Sequence, residues 1–358
     1  MKKLDIAIIG GGVAGVFTSL HIKNKEVTIF EKESKNKSNV LKRILVSGNG
    51  RCNFFNSNIE KYLPSYLEKK YISKLFNYFD SNGFAYYINE EGYYYPFFNK
   101  SECFYSFLLN ELERTKNKII EEEIIHINYK NKIIKSTKDN YSYNKLVLAT
   151  GGRSYDRDNY SYDLITDLDI KYNKFTPGLV PIVVEEKIEK GLVDNKLKCI
   201  VEVIYDNKSI YKEDGEVIFK KDGLSGICIF NSAFIINSLL RENKKENIKI
   251  RLDIFSHNNT SISLDKASNS LPSFLKGIKI IDKRYLEYTF KSFYDFKFSH
   301  TSYGGIDISE ISKQLELIKR KDIYVLGEVV DRNYPCGGYN IGMALLEGIY
   351  LGEILSGK

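Results

Sequence analysis

Gly10, Gly12 and Gly15 spell G-x-G-x-x-G, and Glu31 follows twenty-one residues after the first of them. Each glycine has a separate mechanical task. The first permits a tight turn, the second lets backbone approach a pyrophosphate, and the third packs a helix against a strand. The unpaired N–H groups at that helix start, with the positive end of its dipole, meet phosphate oxygens. An acid at this distance accepts from ribose hydroxyls. The chemistry is dinucleotide binding.

That chemistry requires particular elements around it. The apolar run 4–9 reads as a strand, residues 13–22 as a helix, and residues 26–30 as a second strand ending at Glu31. A glycine-rich strand-to-helix turn without a ligand is the competing reading. Strand, helix, strand and acid occurring in order favour the dinucleotide.

Three further segments point to FAD rather than NAD. Residues 146–152 read as a buried strand running into a glycine turn, where Ala149, Thr150 and Gly151 let the backbone pass close to a cofactor. Gly327, Glu328 and Asp331 close another strand and lead through Gly337, Gly338, Asn340 and Ile341 into the last helix. A glycine-acid strand end suits a ribityl hydroxyl. The helix start behind it would present N–H groups to a flavin carbonyl and stabilise charge on the reduced ring. The third segment is Arg43 followed by Ser47, Gly48, Asn49, Gly50, Arg51, Cys52 and Asn53, a polar loop of close approach. Arg51 reads as a partner for a pyrophosphate or a substrate anion, or as a surface cation. Cys52 reads as a redox thiol beside the flavin or, more simply, as a small buried filler, and Cys336 likewise.

A second G-x-G-x-x-G is missing, so a dedicated second fold for NADH or NADPH is not expected, and either remains open as a transient electron donor. Histidines 21, 126, 257 and 300 lack metal-ligand spacing, so no metal is expected. His300, in a loop that could border a site, reads as structural. No residue type and spacing assigns a catalytic acid or base.

Composition narrows the class. The 358 residues are 43% hydrophobic, enough for sizeable cores. The net charge of +7 is spread among interleaved acids, without the clustering that a nucleic-acid partner needs. No apolar run approaches the ~18 residues of a membrane span. Five cysteines, odd in number and without C-x-x-C, fit a reducing compartment. The expectation is a cytoplasmic protein acting on a small molecule, with its oligomeric state unspecified.

Helices are expected over 66–79 and 101–114, flanking an aromatic loop at 92–96, and strands from 119 to 143 read as an antiparallel meander. The texture changes after 177–181. Strand-like runs follow at 199–205 and 216–219, and the chain closes with a strand at 323–328 and a helix over 340–355. The simplest architecture is a nucleotide-binding domain built from 1–183 and 300–358, with a second domain inserted at 184–299.

In these segments the chain resembles the BaiN-like, or aminoacetone-oxidase-like, FAD-dependent oxidoreductases over nearly its full length. The likeness runs in order through Gly10 to Gly15 with Glu31, Arg43 with 47–53, and 92–96. It continues through 149–154, 177–181, 215–219, 223–226, Gly304-Gly305, 327–331 and 336–340. It implies an α/β fold: one Rossmann-type FAD-binding domain of the ββα, glutathione-reductase-like kind, carrying an inserted α+β, partly β-barrel-like domain. It implies Glu31 on the adenosine ribose, Glu328 at the ribityl or pyrophosphate region and 338–341 at the pyrimidine edge. Val13, Ala14, Lys32 and Ile124 join the cofactor contacts on the same pattern. The chain also departs from the family's pattern: Arg43 replaces a Lys, Tyr93-Tyr-Tyr95 replaces Arg-Val-Phe, Lys220-Lys221 replaces Thr-His and Ile227 replaces Pro. The implied activity is hydride transfer between flavin N5 and a small organic substrate, as an NAD(P)H-dependent reductase. An amine oxidase passing electrons to oxygen and a non-catalytic flavin-binding sensor or scaffold are the alternatives.

Overall fold

The computed structural model describes residues 1–33, 38–154, 162–254 and 285–357, so His257 lies outside the described residues. They fall into two units: one from both chain ends (Met1–Gly152 and Gly304–Lys358, with the stretch ending at Phe175), the other from Thr176–Tyr303 with Arg153 and Ser154.

In the first unit, β1 (Lys2–Ile9) runs from an exposed start into the wholly buried Ile6–Ile9. Its apolar residues do not alternate, because a parallel strand is covered on both faces. α1 (Val13–His21) crosses back to β2 (Val27–Glu31), which lies parallel to β1 with Ile6 opposite Val27. After the short α2 (Arg43–Val46), a small sheet forms from β3 (Phe55–Asn56), β4 (Tyr86–Ile88) and β5 (Tyr93–Pro96), with α3 (Lys70–Ser81) between its strands. α3 starts four residues later than the apolar period suggests. Tyr66 is kept outside it by a turn, and its phenol reaches Glu347. The aromatic loop is half core: Tyr94 packs at 5.3 Å on Phe55, while Phe97 and Phe98 beyond it are exposed.

α4 (Ser101–Glu113) leads to β6 (Lys118–Glu121), then β7 (Ile124–Asn128), β8 (Ile133–Ser136) and β9 (Asn140–Leu148). The antiparallel expectation is right for β7, β8 and β9 and wrong for β6, which pairs parallel to β2. A strand reached through a helical crossover can lie parallel to its neighbour, which a tight hairpin forbids. β9 returns parallel to β1 on the other side. The short α5 (Asp163–Thr166) sits near β7, where Asp167 accepts the Ile127 N–H at 2.7 Å and pairs with His126 at 2.9 Å.

The chain passes between the units within β10 (Tyr172–Gly178) and again within β17 (Thr301–Ile306). Inside the second unit, β11 (Ile182–Val184), β12 (Lys196–Tyr205), β13 (Lys208–Lys220), β14 (Gly223–Ser225), β15 (Ile248–Asp253) and β16 (Tyr285–Phe293) close into a barrel. The order is β11-β14-β13-β12-β15-β16, every pair antiparallel. Closure removes the unpaired edges that an open sheet leaves. Cys199, Val201 and Val203 alternate inward along β12, and α6 (Ile227–Arg241) contributes Ile229, Ala233 and Ile236 to the same core.

Back in the first unit, β18 (Glu316–Leu317) and β19 (Arg320–Val325) complete the sheet in the order β18-β19-β9-β1-β2-β6. α7 (Tyr339–Leu355) lies against α1. A Cβ on Gly352 would sit 2.5 Å from that of His21, so the two helices approach closely only because Gly352 has none.

Candidate functional site

The parallel strands β1 and β9 end together, and open α/β sheets bind ligands at such carboxyl ends. Gly10 turns the chain there with φ +112°, donating its N–H to the Phe30 carbonyl at 2.8 Å. A Cβ on Gly10 would lie 2.2 Å from the Ala149 oxygen, and one on Gly15 would lie 2.1 Å from the Gly10 oxygen. Gly12 differs. Nothing lies within 4 Å of where its Cβ would be, although its φ of −77° suits any residue. Gly12 caps α1 without a side-chain hydrogen bond, and neither Val13, Ala14 nor Gly15 in the first turn is acidic. A helix start carrying free space and no counter-charge fits a pyrophosphate.

Glu31 stands at the end of β2. Its Oε2 accepts the Gly11 N–H at 2.7 Å and its Oε1 that of Lys32 at 2.9 Å. Each carboxylate oxygen keeps a further lone pair for a ribose hydroxyl. Lys32 itself pairs with Glu123 at 2.6 Å on a solvent-facing edge, and Ile124 beside it is buried at the start of β7. Ala149 donates its N–H to the Ile9 carbonyl at 2.8 Å, and Thr150 and Gly151 (φ +71°) continue from it.

The second motif sits on the first. A Cβ on Gly327 would meet that of Ala14 at 2.9 Å, so Gly327-Glu328 lies over the first turn of α1. Asp331 is occupied within the protein, accepting from Asn173 Nδ2 at 2.7 Å and the Gly304 N–H at 3.2 Å. Asn340 donates to the carbonyls of Tyr334 (3.1 Å) and Pro335 (3.3 Å), fixing the turn that precedes α7. Gly338, with φ +89°, caps that helix ahead of Ile341. A Cβ there would come within 2.5 Å of both the Asn53 amide and the Phe55 carbonyl. Asn56 Nδ2 donates to the Gly337 carbonyl at 2.8 Å. The third motif is therefore packed directly onto the α7 N-terminus.

That third loop is unusual in its backbone. Gly48, Asn49, Gly50 and Cys52 all have left-handed φ, between +55° and +79°. Two of the four carry side chains, a conformation that persists only where surroundings enforce it. Cys52 is fully buried, its N–H held by the Ser47 carbonyl at 3.1 Å. Burial pushes its thiol up to about 12, so it is a neutral filler rather than a nucleophile. Asn53, with its amide nitrogen turned toward them, donates to Phe55 O (2.9 Å) and Tyr94 O (3.2 Å). Arg51 projects outward over the Tyr95 ring, 5.4 Å from its centroid, and Arg43 is half-buried at the start of α2.

Sequence reasoning missed a buried polar cluster beneath the second motif. Arg332 Nη1 donates to Glu347 Oε1 at 2.8 Å and also to the Tyr66 hydroxyl, which donates to the same carboxylate at 2.6 Å. The Arg332 and Glu347 side chains are 20% and 5% exposed. Burial is the largest influence on Tyr66 and, with the Glu347 carboxylate, holds its phenol far above the usual range. The one available signal was Glu347 itself, an acid amid the apolar 343–351 stretch. His300 is partly buried, its ring 4.9 Å from that of Phe230, and the loss of solvent lowers its proton affinity. Among the described residues no group of histidine, cysteine, aspartate or glutamate could hold a metal.

One nucleotide fold, with a second glycine-acid motif laid on its helix start and a glycine-capped helix behind, defines a flavoprotein oxidoreductase that binds FAD. Residues 4–354 match the HI0933-like protein Rossmann domain, and the chain belongs to that family. It is 24% identical to the 3-dehydro-bile acid delta(4,6)-reductase of Clostridium scindens, over 97% of this chain and 98% of the relative. It is 22% identical to the ribosomal RNA dihydrouridine synthase of Escherichia coli, over 96% of each. Its fold is similar to that of 3-ketosteroid delta1-dehydrogenase from Sterolibacterium denitrificans, with a TM-score of 0.53 at 9% identity and full coverage of both chains. Among the described residues no helix is long and apolar enough to cross a membrane.

Proposed function

We propose that this protein is an NAD(P)H-dependent reductase that saturates a carbon–carbon double bond conjugated to a carbonyl in a small, flat substrate, by hydride transfer at flavin N5. The observation that carries this reading is end-to-end likeness to two relatives whose names, a delta(4,6)-reductase and a dihydrouridine synthase, both describe hydrogen added across a ring double bond. FAD supplies the redox chemistry; the protein supplies binding, orientation and electrostatics. The start of α1 with Gly12 would hold the pyrophosphate, Glu31 the adenosine ribose, and Glu328 the ribityl region. The N–H groups at 338–341 would meet the pyrimidine edge and stabilise negative charge there. The unit built from both chain ends is assigned to the cofactor and the unit spanning Thr176–Tyr303 to the substrate. The compartment is the cytoplasm, in keeping with five cysteines of which none forms a disulfide.

A uridine within RNA is a second candidate for the same bond, favoured by the Escherichia coli relative. The test supplies the FAD-loaded protein and NADPH with a 3-oxo-delta4 steroid or with uridine-containing RNA, and follows loss of the conjugated absorbance. Turnover of the free small molecule supports the main reading, and turnover of RNA alone selects the second. Hydrogen peroxide released from an amine in air, with neither acceptor reduced, contradicts both and selects an oxidase.

A further inference from the structure

Arg51 carries the one charged side chain of the Ser47–Asn53 loop, and that side chain is exposed. Four of the five residues 48–52 are left-handed, Cys52 anchors the far end in the core, and Asn53 ties the loop to Phe55 and Tyr94. The guanidinium lies over Tyr95, and Tyr95 stacks on Tyr87 with centroids 5.7 Å apart and planes at 26°. Among the described residues no carboxylate lies within ion-pairing distance of Arg51. Glu91, the nearby acid that also acts on the Tyr95 phenol, is engaged by Asn89 Nδ2.

The position of this cation separates it from the pyrophosphate end of the site. The start of α1 is bordered by Gly327, Gly10 and Ala149. The Tyr93 ring, two residues before Tyr95 on β5, instead borders Gly337, with Cε1 3.1 Å from where a Cβ would be, and Asn53, two residues beyond Arg51, lies against Gly338. The guanidinium therefore stands beside the α7 N-terminus, the flavin-ring end on the reading above. A planar guanidinium seated on an aromatic ring keeps its outer face for a flat group and its N–H edge for an anion, which it meets in bidentate fashion. A backbone already fixed by its left-handed residues has less conformational entropy left to lose when Arg51 binds a ligand.

We infer that Arg51, backed by Tyr95 and Tyr87, is a substrate-binding residue that recognises a carboxylate or phosphate carried by a flat, conjugated substrate. The inference rests on the proposed function for the flatness of the substrate and for the flavin lying at this end.

The test titrates the FAD-loaded, oxidised protein with two matched pairs, cinnamate with methyl cinnamate and uridine 5′-phosphate with uridine, reading perturbation of the flavin visible spectrum. The two pairs separate a carboxylate from a phosphate source. The wild type is expected to bind at least one anion ~10-fold more tightly than its neutral partner, a charge-assisted contact's worth of affinity. Arg51→Ala is expected to abolish that ratio and Arg51→Lys to keep part of it, both with FAD retained. Three results overturn the inference: neither anion binds preferentially, the preference survives Arg51→Ala, or Arg51→Ala sheds FAD and so places Arg51 on the cofactor. Bleaching of the wild-type flavin by NADPH is scored separately, so failure of the reductase reading is distinguishable from failure of this assignment.

Discussion

Gly10, Gly12 and Gly15 were equally legible in the sequence, yet alanine at each is expected to fail differently. At Gly12 the added methyl meets nothing in the protein, so Gly12→Ala is predicted to change unfolding free energy by no more than ~0.5 kcal/mol. It occupies the space a pyrophosphate would take, so FAD affinity is predicted to fall ten-fold or more, read by fluorescence titration of the apoprotein. At Gly10 the methyl would lie 2.2 Å from a backbone carbonyl, and the left-handed φ adds strain. Gly10→Ala should cost about 3 kcal/mol or more in urea unfolding. If both variants lost FAD and stability together, the division of labour drawn above would be wrong. His21 gives a second test at this scale. Burial against Phe17 and Tyr78 lowers its pKa from 6.5 to about 4, so the fold holds it neutral. Stability from this group is present above pH 6.5 and is lost as pH falls toward 4, because the unfolded chain binds the proton first. The loss amounts to roughly 3 kcal/mol at most, and His21→Phe should flatten the decline in Tm between pH 6.5 and 4.

At the scale of elements, local pattern reached the strand–helix–strand fingerprint because its glycines, its apolar run and Glu31 sit within one short stretch. It did not reach β6, whose parallel partner depends on where α4 delivers the chain, or the true start of α3 at Lys70, beyond a turn from which Tyr66 reaches Glu347 at the other end of the sequence. It also did not reach the Arg332–Glu347 pair, because an isolated acid in an apolar helix does not name its partner. That pair ties the turn after β19 to α7, the two elements that would flank the flavin. Arg332→Met would leave the buried Glu347 carboxylate without its counter-charge, with the Tyr66 hydroxyl still donating to it, at a cost of about 3 kcal/mol. Adding Glu347→Leu is expected to restore most of the loss, measured by urea denaturation of the single and double variants. A double variant as unstable as the single would mean that Arg332 contributes through packing rather than charge.

Across the whole molecule, the sequence placed a nucleotide fold at both chain ends because Gly10–Glu31 and Gly327–Ile341 each read as half of one ligand's recognition. The barrel was less legible. β12 and β13 alternate visibly, but closure depends on Ile182–Val184 meeting Tyr285–Phe293, with Ile182 opposite Phe293, a pairing far apart in the chain that no local pattern encodes. Tyr93–Tyr95 and Lys220-Lys221, proposed for the substrate side, are among the segments that depart from the family pattern, so its acceptor must be found by experiment. The direction of electron flow can be settled before the acceptor is known. Purified, FAD-loaded protein is titrated anaerobically with NADPH and then NADH while the visible flavin bands are followed. Bands that bleach with either nicotinamide, and return on addition of a conjugated carbonyl acceptor, are the result predicted here. Bands that persist through both titrations would contradict the reductase assignment and leave a flavoprotein reduced by its own substrate.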